Sequence, residues 1–273
     1  MILTVPTFDA HAANYDDVAE SALGRELRRR VRSRVTPYLN AEAVVMDLGC
    51  GSGLDAAWMA PQVRQIFAID PSSDMVALTA EACSRFRNVV VARGDGSQLV
   101  SPQPLDLLLA NFGVINCVGD LHTFSDGLDR VLKPGGHAVL VTMARWCPAE
   151  IAVATFTLNR DLLRRRRRKA PSNADYAGLD LRYAGTGELH QALGDRFELV
   201  AAESLGLTLP PFEQRAWLEN RPRLLRRLAR ADERLSTLGA RLGVGDHHIV
   251  VIRKPKTDTA LQHQETEERR QGL

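Results

Sequence analysis

The run Val44-Val45-Met46-Asp47-Leu48-Gly49-Cys50-Gly51-Ser52-Gly53 decides the fold. Two β-branched residues and a methionine leave its first half without a polar face, which predicts a strand buried on both sides. Gly49, Gly51 and Gly53 then make a turn in which φ can be positive and no Cβ blocks close approach. From Leu54 to Ala60 the pattern resumes as a helix. The stretch therefore reads as a strand that delivers a nucleotide-like ligand to bare backbone.

Spacing narrows the ligand. A turn that binds a dinucleotide pyrophosphate has the form G-x-G-x-x-G, its third glycine packing helix on strand. Here the third glycine comes one residue early, at Gly53, and Leu54 takes the expected place. A second apolar run, Ile66-Phe67-Ala68-Ile69, ends at Asp70, close to the ~20-residue offset at which an acid meets a ribose hydroxyl in such folds. A ribose is expected, and a pyrophosphate is not. Taken alone, each feature has a plainer reading: an ordinary tight turn, Asp70 as a cap for the helix starting near Ser72, or Asp95 as a turn residue.

Further motifs follow in order. Arg93-Gly94-Asp95-Gly96 succeeds the strand Asn88 to Ala92, and Asn111-Phe112-Gly113 succeeds the strand Leu105 to Ala110. Leu132-Lys133-Pro134-Gly135-Gly136 precedes the strand His137 to Thr142, while Phe8-Asp9 and Tyr15-Asp16 stand near the start. Together with the glycine turn and Asp70, these resemble the class I methyltransferases that use S-adenosylmethionine, including the F-D-x-x-A-x-x-Y-D element of their small-molecule members. The resemblance implies an α/β fold with a seven-stranded, mostly parallel sheet flanked by helices and carrying helical lid insertions.

It also implies roles. Asp47, Gly49, Cys50 and Gly51 belong to the turn that meets the methionine part of the cofactor, with Pro71 and Met75 beside the ribose acid Asp70. Asp95 and Gly96 would read the adenine edge, Asn111 and Phe112 would flank the sulfonium, and Tyr15 would cover it. Methyl transfer needs orientation more than side-chain chemistry, so a general base is optional. The candidates are His11, His122, His190, His247, His248, Tyr176 and Tyr183; His11 has a claim only because the leader should fold over the site, and no spacing selects among them.

Composition fits an ordinary globular enzyme. The chain has 273 residues, 45% hydrophobic, and a net charge of only +2, so it is no general polyanion binder. Cys50, Cys83, Cys117 and Cys147 show no C-x-x-C pairing, which argues against a zinc site, and no metal is expected. Neither a signal peptide nor an apolar run of ~20 residues is evident, so a cytoplasmic location is expected.

The predicted organisation is a helical leader or lid over 1–40 and a cofactor-binding core over 41–147. A helical insert or lid over 148–186 follows, then the remainder of the core with a helical insertion over 187–254, and a polar, disordered tail over 255–273. Within the insertion Pro222 must break or kink a helix spanning Phe212 to Leu242, and Leu225, Leu228, Ala231, Leu235, Leu238 and Leu242 suggest one inward stripe. The run Arg164, Arg165, Arg166, Arg167, Arg168 and Lys169 reads as a solvated patch, or else as a contact for an acidic carrier protein, an anionic surface or RNA.

Asn111-Phe112-Gly113-Val114 departs from the N-P-P-Y loop of nucleobase methyltransferases, and no aromatic base-stacking motif is present. The expected acceptor is a small, lipid-like or carrier-bound molecule. A noncatalytic cofactor-binding or interaction protein, and less readily an RNA methyltransferase, are the alternatives; nucleic acid is not expected as a partner, and the oligomeric state is open.

Overall fold

The computed structural model describes residues 19–160, 166, 186–211 and 215–256. Ser21 starts the first helix, α1 (Ala22–Val35), by accepting the Gly24 N–H on its hydroxyl at 3.0 Å, which satisfies a donor that the helix end would otherwise orphan. Leu23, Leu27, Val31 and Val35, spaced by four, form its buried stripe. A short turn at Thr36–Tyr38 containing Pro37 ends it.

Strands and helices then alternate: β1 (Val44–Leu48), α2 (Leu54–Met59), β2 (Gln65–Asp70), α3 (Ser73–Ala82), β3 (Val89–Arg93), β4 (Leu105–Ala110), α4 (Leu121–Val131) and β5 (Leu132–Met143). After α5 (Pro148–Phe156) come α6 (Thr186–Leu193), β6 (Glu198–Leu205), α7 (Arg215–Glu219), α8 (Pro222–Leu242) and β7 (His247–Arg253). The seven strands form one sheet in the order β3-β2-β1-β4-β5-β7-β6. The first five run parallel, and β7 lies antiparallel to both β5 and β6. Chain direction across the sheet reverses between β1 and β4, and the crevice at the carboxyl ends of such a pair is where open α/β sheets bind ligands.

Alternate strand residues feed two apolar layers. Val45, Leu107, Leu109, Val139, Val141 and Ile249 face α1 and α2, whereas Met46, Leu48, Leu108, Leu140 and Val250 face Phe124 and Leu128 of α4 and Leu189 and Leu193 of α6. The leader helix α1 thus shares a core with the central strands. β5 begins earlier than expected: Leu132 already pairs with Leu105, and the Gly135 N–H bonds to the Lys254 carbonyl at 2.8 Å, so the proline-glycine turn is held extended.

The helical insertion departs from expectation in its packing. Pro222 does open a new helix, α8, because its missing N–H costs nothing in a first turn. The inward face, however, is Leu225, Ala229, Asp232, Ser236, Gly239 and Ala240, while Leu235, Leu238 and Leu242 are exposed. The reason is close approach. A Cβ on Gly239 would lie 2.6 Å from the Ser204 Cβ, so small residues must face β6 and the leucines turn outward. Buried Asp232 is fully engaged by Arg30 Nη1 at 2.6 Å and by the backbone N–H groups of Gly206 and Thr208 at 3.1 and 2.8 Å.

Among the described residues no helix is long and apolar enough to cross a membrane, and no cluster of three or more His, Cys, Asp or Glu side chains is arranged to hold a metal ion. The tail beyond 256, most of the arginine run and most of the expected insert lie outside the described residues.

Candidate functional site

Gly49, Gly51 and Gly53 adopt φ of 69°, 56° and 84°, all in the left-handed region that L side chains avoid. The turn is pinned by Gly49 N–H and Cys50 N–H donating to the Ile69 carbonyl at 2.7 and 3.1 Å. A Cβ on Gly49 would stand 2.2 Å from Val114 Cγ2, and one on Gly53 would stand 3.0 Å from the Thr79 Cα. The early third glycine is explained by that second contact: α3 crosses the turn here, and the Thr79 hydroxyl donates to the Gly51 carbonyl at 2.7 Å.

Asp70 closes the cradle from β2. One carboxylate oxygen accepts the Gly51 N–H at 3.0 Å and the other the Ser72 N–H at 2.9 Å, which fixes its orientation beside the turn. Ser72 in turn caps α3 by accepting the Met75 N–H at 3.1 Å. Gly49, Gly51, Asp70, Pro71, Met75, Asn111 and Phe112 line one cleft, joined by Gly113, Val114 and Cys117. Gly113 and Val114 belong to the loop already singled out after β4, whereas Cys117, at the end of the turn Ile115–Cys117, was not anticipated.

Other expected residues sit elsewhere. Asp47 and Cys50 are buried beneath the cleft. Burial first, and then the neighbouring Asp55, holds the Asp47 carboxyl well above the usual carboxylate range, with Arg28 opposing. Asp95 accepts the Ser97 N–H at 2.8 Å and also the Ser97 hydroxyl, and neither it nor Gly96 is on the cleft wall. Tyr15 and His11, with Tyr176 and Tyr183, lie outside the described residues. His122 and His190 are exposed on α4 and α6.

The wall opposite the glycines is built by charge. Asp55, at the start of α2, accepts Arg28 Nη1, Arg32 Nε at 2.9 Å and Asn111 Nδ2 at 2.7 Å. With its amide nitrogen so engaged, Asn111 leaves a buried Oδ1 without a hydrogen-bond partner. Phe112 has a φ of 45°, a conformation costing on the order of 1–3 kcal/mol for a bulky residue. The Arg28 guanidinium stands 5.3 Å from the centre of its ring, and His247 meets it edge to face with centroids 5.5 Å apart.

His247 begins a buried polar chain. Its Nδ1 lies 3.0 Å from Asp246 Oδ2; Asp246 pairs with Arg166 Nη2, and Arg166 Nε donates to Glu150 at 2.7 Å. Burial opposes ionisation of Asp246, but His247 and Arg166 outweigh it and hold the carboxyl well below its ordinary range. Arg166 also donates to the backbone carbonyls of Ala144 and Asp246, both at 2.9 Å. This corrects the surface reading at one position: Arg166 is buried, so it is not offered to an anionic surface, while Arg164, Arg165, Arg167 and Arg168 lie outside the described residues.

The mostly parallel sheet with a glycine turn at its switch point, closed by an acid from the next strand, is a Rossmann-like α/β fold. Residues 45–136 match the family model described as a methyltransferase domain.

The chain is 29% identical over 157 residues to a malonyl-[acyl-carrier protein] O-methyltransferase of Marinomonas sp., covering 56% of each chain. It is 30% identical over 158 residues to the ubiquinone/menaquinone biosynthesis C-methyltransferase UbiE of Rubrivivax gelatinosus, covering 55% of this chain and 61% of that one. The matches to the malonyl-carrier enzymes span little more than half the length of those relatives. Among solved structures, the N-methyltransferase NodS from Bradyrhizobium japonicum WM9, in complex with S-adenosyl-l-homocysteine, superimposes with a TM-score of 0.58 at 15% identity, covering 91% of this chain and 97% of that chain. That likeness establishes the fold.

Proposed function

We propose that the chain is an S-adenosylmethionine-dependent methyltransferase acting on a small-molecule, lipid-like or carrier-bound acceptor. The observation that carries this is the cradle itself: a positive-φ glycine turn whose Gly51 N–H is tied to the Asp70 carboxylate, inside the segment that matches a methyltransferase domain. The relatives named for malonyl-carrier and quinone methylation support the acceptor class.

The residues fit the cofactor on two counts. Gly49 and Gly51 line the cleft with left-handed backbone, and at Gly49 a Cβ would collide with Val114; Asn111 presents an unpartnered buried carbonyl oxygen to a ligand that carries donors. In this reading Asp70 holds the ribose hydroxyls, Gly49 and Gly51 the amino-acid part, and Asn111 Oδ1 the ammonium or the sulfonium edge. Pro71 and Met75 flank the nucleoside, Asp47 and Cys50 support the turn from below, Asp95 and Gly96 border the adenine end, and Tyr15 belongs to the leader that covers the site. When bound, the cofactor supplies an activated methyl group on a sulfonium. Phe112 and the β4 loop exclude water and orient the acceptor, and orientation alone can supply about 7–11 kcal/mol of barrier reduction.

Titration calorimetry with S-adenosylmethionine and S-adenosylhomocysteine tests the reading. Binding in the micromolar range is expected, weakened at least tenfold in Asp70→Ala. No heat at about 500 μM ligand, against a millimolar Kd equivalent to roughly −4 kcal/mol, would overturn it.

A further inference from the structure

We infer that the outward face of α8 is a docking surface for an anionic lipid bilayer, on which the protein lies without crossing it. Such docking goes beyond the methyltransferase reading and does not depend on it.

The spacing of two residue types carries the inference. Arg223, Arg227, Arg230, Arg234 and Arg241 are all exposed, and at 3.6 residues per turn their positions fall within an arc of about 60°. Leu235, Leu238 and Leu242 occupy the adjoining arc and are 39%, 53% and 65% exposed. Both arcs lie opposite the buried face of the helix, which runs from Leu225 through Asp232 to Gly239 and Ala240. The leucines turn outward because the close approach of Gly239 to Ser204 reserves the inner side for small residues. Folding therefore leaves an apolar ridge and a cationic ridge side by side along one helix.

Charge names the occupant. Among the described residues none of those five arginines is hydrogen-bonded or ion-paired. Of the two acids of α8, Asp232 is buried and Glu233 acts on Arg29 of α1, so neither neutralises the ridge. Just before the helix, Trp217 is half exposed with the Arg221 guanidinium 5.0 Å from its ring centre, an aromatic and a cation suited to the headgroup level. A ridge of one sign beside leucines is what an interfacial helix presents: the leucines enter the acyl boundary while the arginines reach back to phosphate oxygens. The centre of a protein–protein interface is instead depleted of charge, which favours the bilayer over an acidic protein. No described helix is long and apolar enough to span it, so the contact is peripheral.

The placement suits the cleft. Asp232 fastens α8 to Gly206 and Thr208, just beyond the last residue of β6, and β6 runs parallel to β5 because both are antiparallel to β7. The helix thus lies at the carboxyl end of the sheet, as the cleft does. A protein seated this way holds the cleft near the bilayer surface, where a lipid-like acceptor dissolves; this consequence alone rests on the methyltransferase reading.

Co-sedimentation of the full chain with vesicles decides it. Vesicles of phosphatidylglycerol and phosphatidylcholine in equal parts should bind the protein, and phosphatidylcholine alone should bind it at least tenfold more weakly. Raising the salt from about 0.1 M to about 1 M, which shortens the screening length from about 10 Å to about 3 Å, should release most of it. Two double variants, Leu238→Gln with Leu242→Gln and Arg230→Gln with Arg234→Gln, should each weaken binding at least tenfold while melting close to wild type, as exposed substitutions do.

No binding to either vesicle, equal binding to both, or binding that survives both double variants would overturn the inference. So would a dimer in equilibrium ultracentrifugation that the leucine variant dissociates, without vesicle binding, which would assign the face to a second copy. Arginine-dependent capture of a purified acidic carrier protein in place of vesicles would overturn it in favour of that partner. The cofactor is scored separately: vesicle binding by a protein that takes up no S-adenosylhomocysteine would reject the methyltransferase reading and leave the docking surface standing.

Discussion

Asn111 donates its side-chain amide to Asp55 across 2.7 Å, and through that carboxylate the cleft wall is tied to the leader helix, whose Arg28 and Arg32 share the same acceptor. The leader helix and the loop beyond β4 are therefore held by one buried acid.

Removing that acid should be costly in two ways. Asp55→Ala removes the buried carboxylate that Arg28, Arg32 and Asn111 share, and breaking a buried ion pair typically costs about 3–5 kcal/mol. Urea unfolding should report a loss of that order. Calorimetry on the folded fraction should show weaker cofactor binding, because Asn111 loses its orientation; unchanged binding would show that Asn111 is positioned by other means.

Gly49→Ala should fail for two separable reasons. The new methyl would collide with Val114, and the left-handed φ of 69° adds roughly 1–2 kcal/mol on its own. Adding Val114→Ala should relieve the collision and leave the conformational cost. Thermal melts of the single and double variants, compared with wild type, separate the two; equal stabilities in both variants would contradict the steric part.

Acid should destabilise the fold through His248. Burial, helped by His247, lowers its imidazole to about 4, below the ordinary ~6.5. Between those values the unfolded chain binds a proton that the folded chain refuses, so stability falls as pH drops from 6.5 to 4, by about 3 kcal/mol in all. His248→Gln, which removes the titrating ring, should flatten that slope in urea titrations at stepped pH. Asp246 works in the same direction only at lower pH, because its carboxyl is held below the ordinary range.

The face of α8 gives a contrast that pattern reading would reverse. Leu238→Gln should change stability by no more than about 0.5 kcal/mol, as exposed substitutions do. Gly239→Leu should cost several times more, since even a Cβ there meets Ser204 at 2.6 Å. Denaturant midpoints of the two variants are the check.

How much of this was legible in the chain depends on range. The strand ending in Asp47-Leu48, the glycine turn and Asp70 could be read because each is a local pattern with a conformational reason, and the sheet places them as expected. The stripe on α8 misled because hydrophobic spacing marks an apolar face but not the nearness of the neighbour, and small residues win where backbones approach. Asp55 and Asp246 carry no local signal; their importance comes from Arg28 and Arg166, 27 and 80 residues away.

The way Asp55 is satisfied bears on how the chain can be cut. An excised fragment bounded by the methyltransferase match, 45–136, would keep the glycine turn, Asp55 and Asn111 while discarding Arg28, Arg32 and the strands β6 and β7. Such a fragment would retain the glycine turn, Asp70 and Asn111 but neither arginine that pairs with Asp55. A piece that keeps those pairs and the extended start of β5 must begin no later than Ser21 and run at least through Lys254.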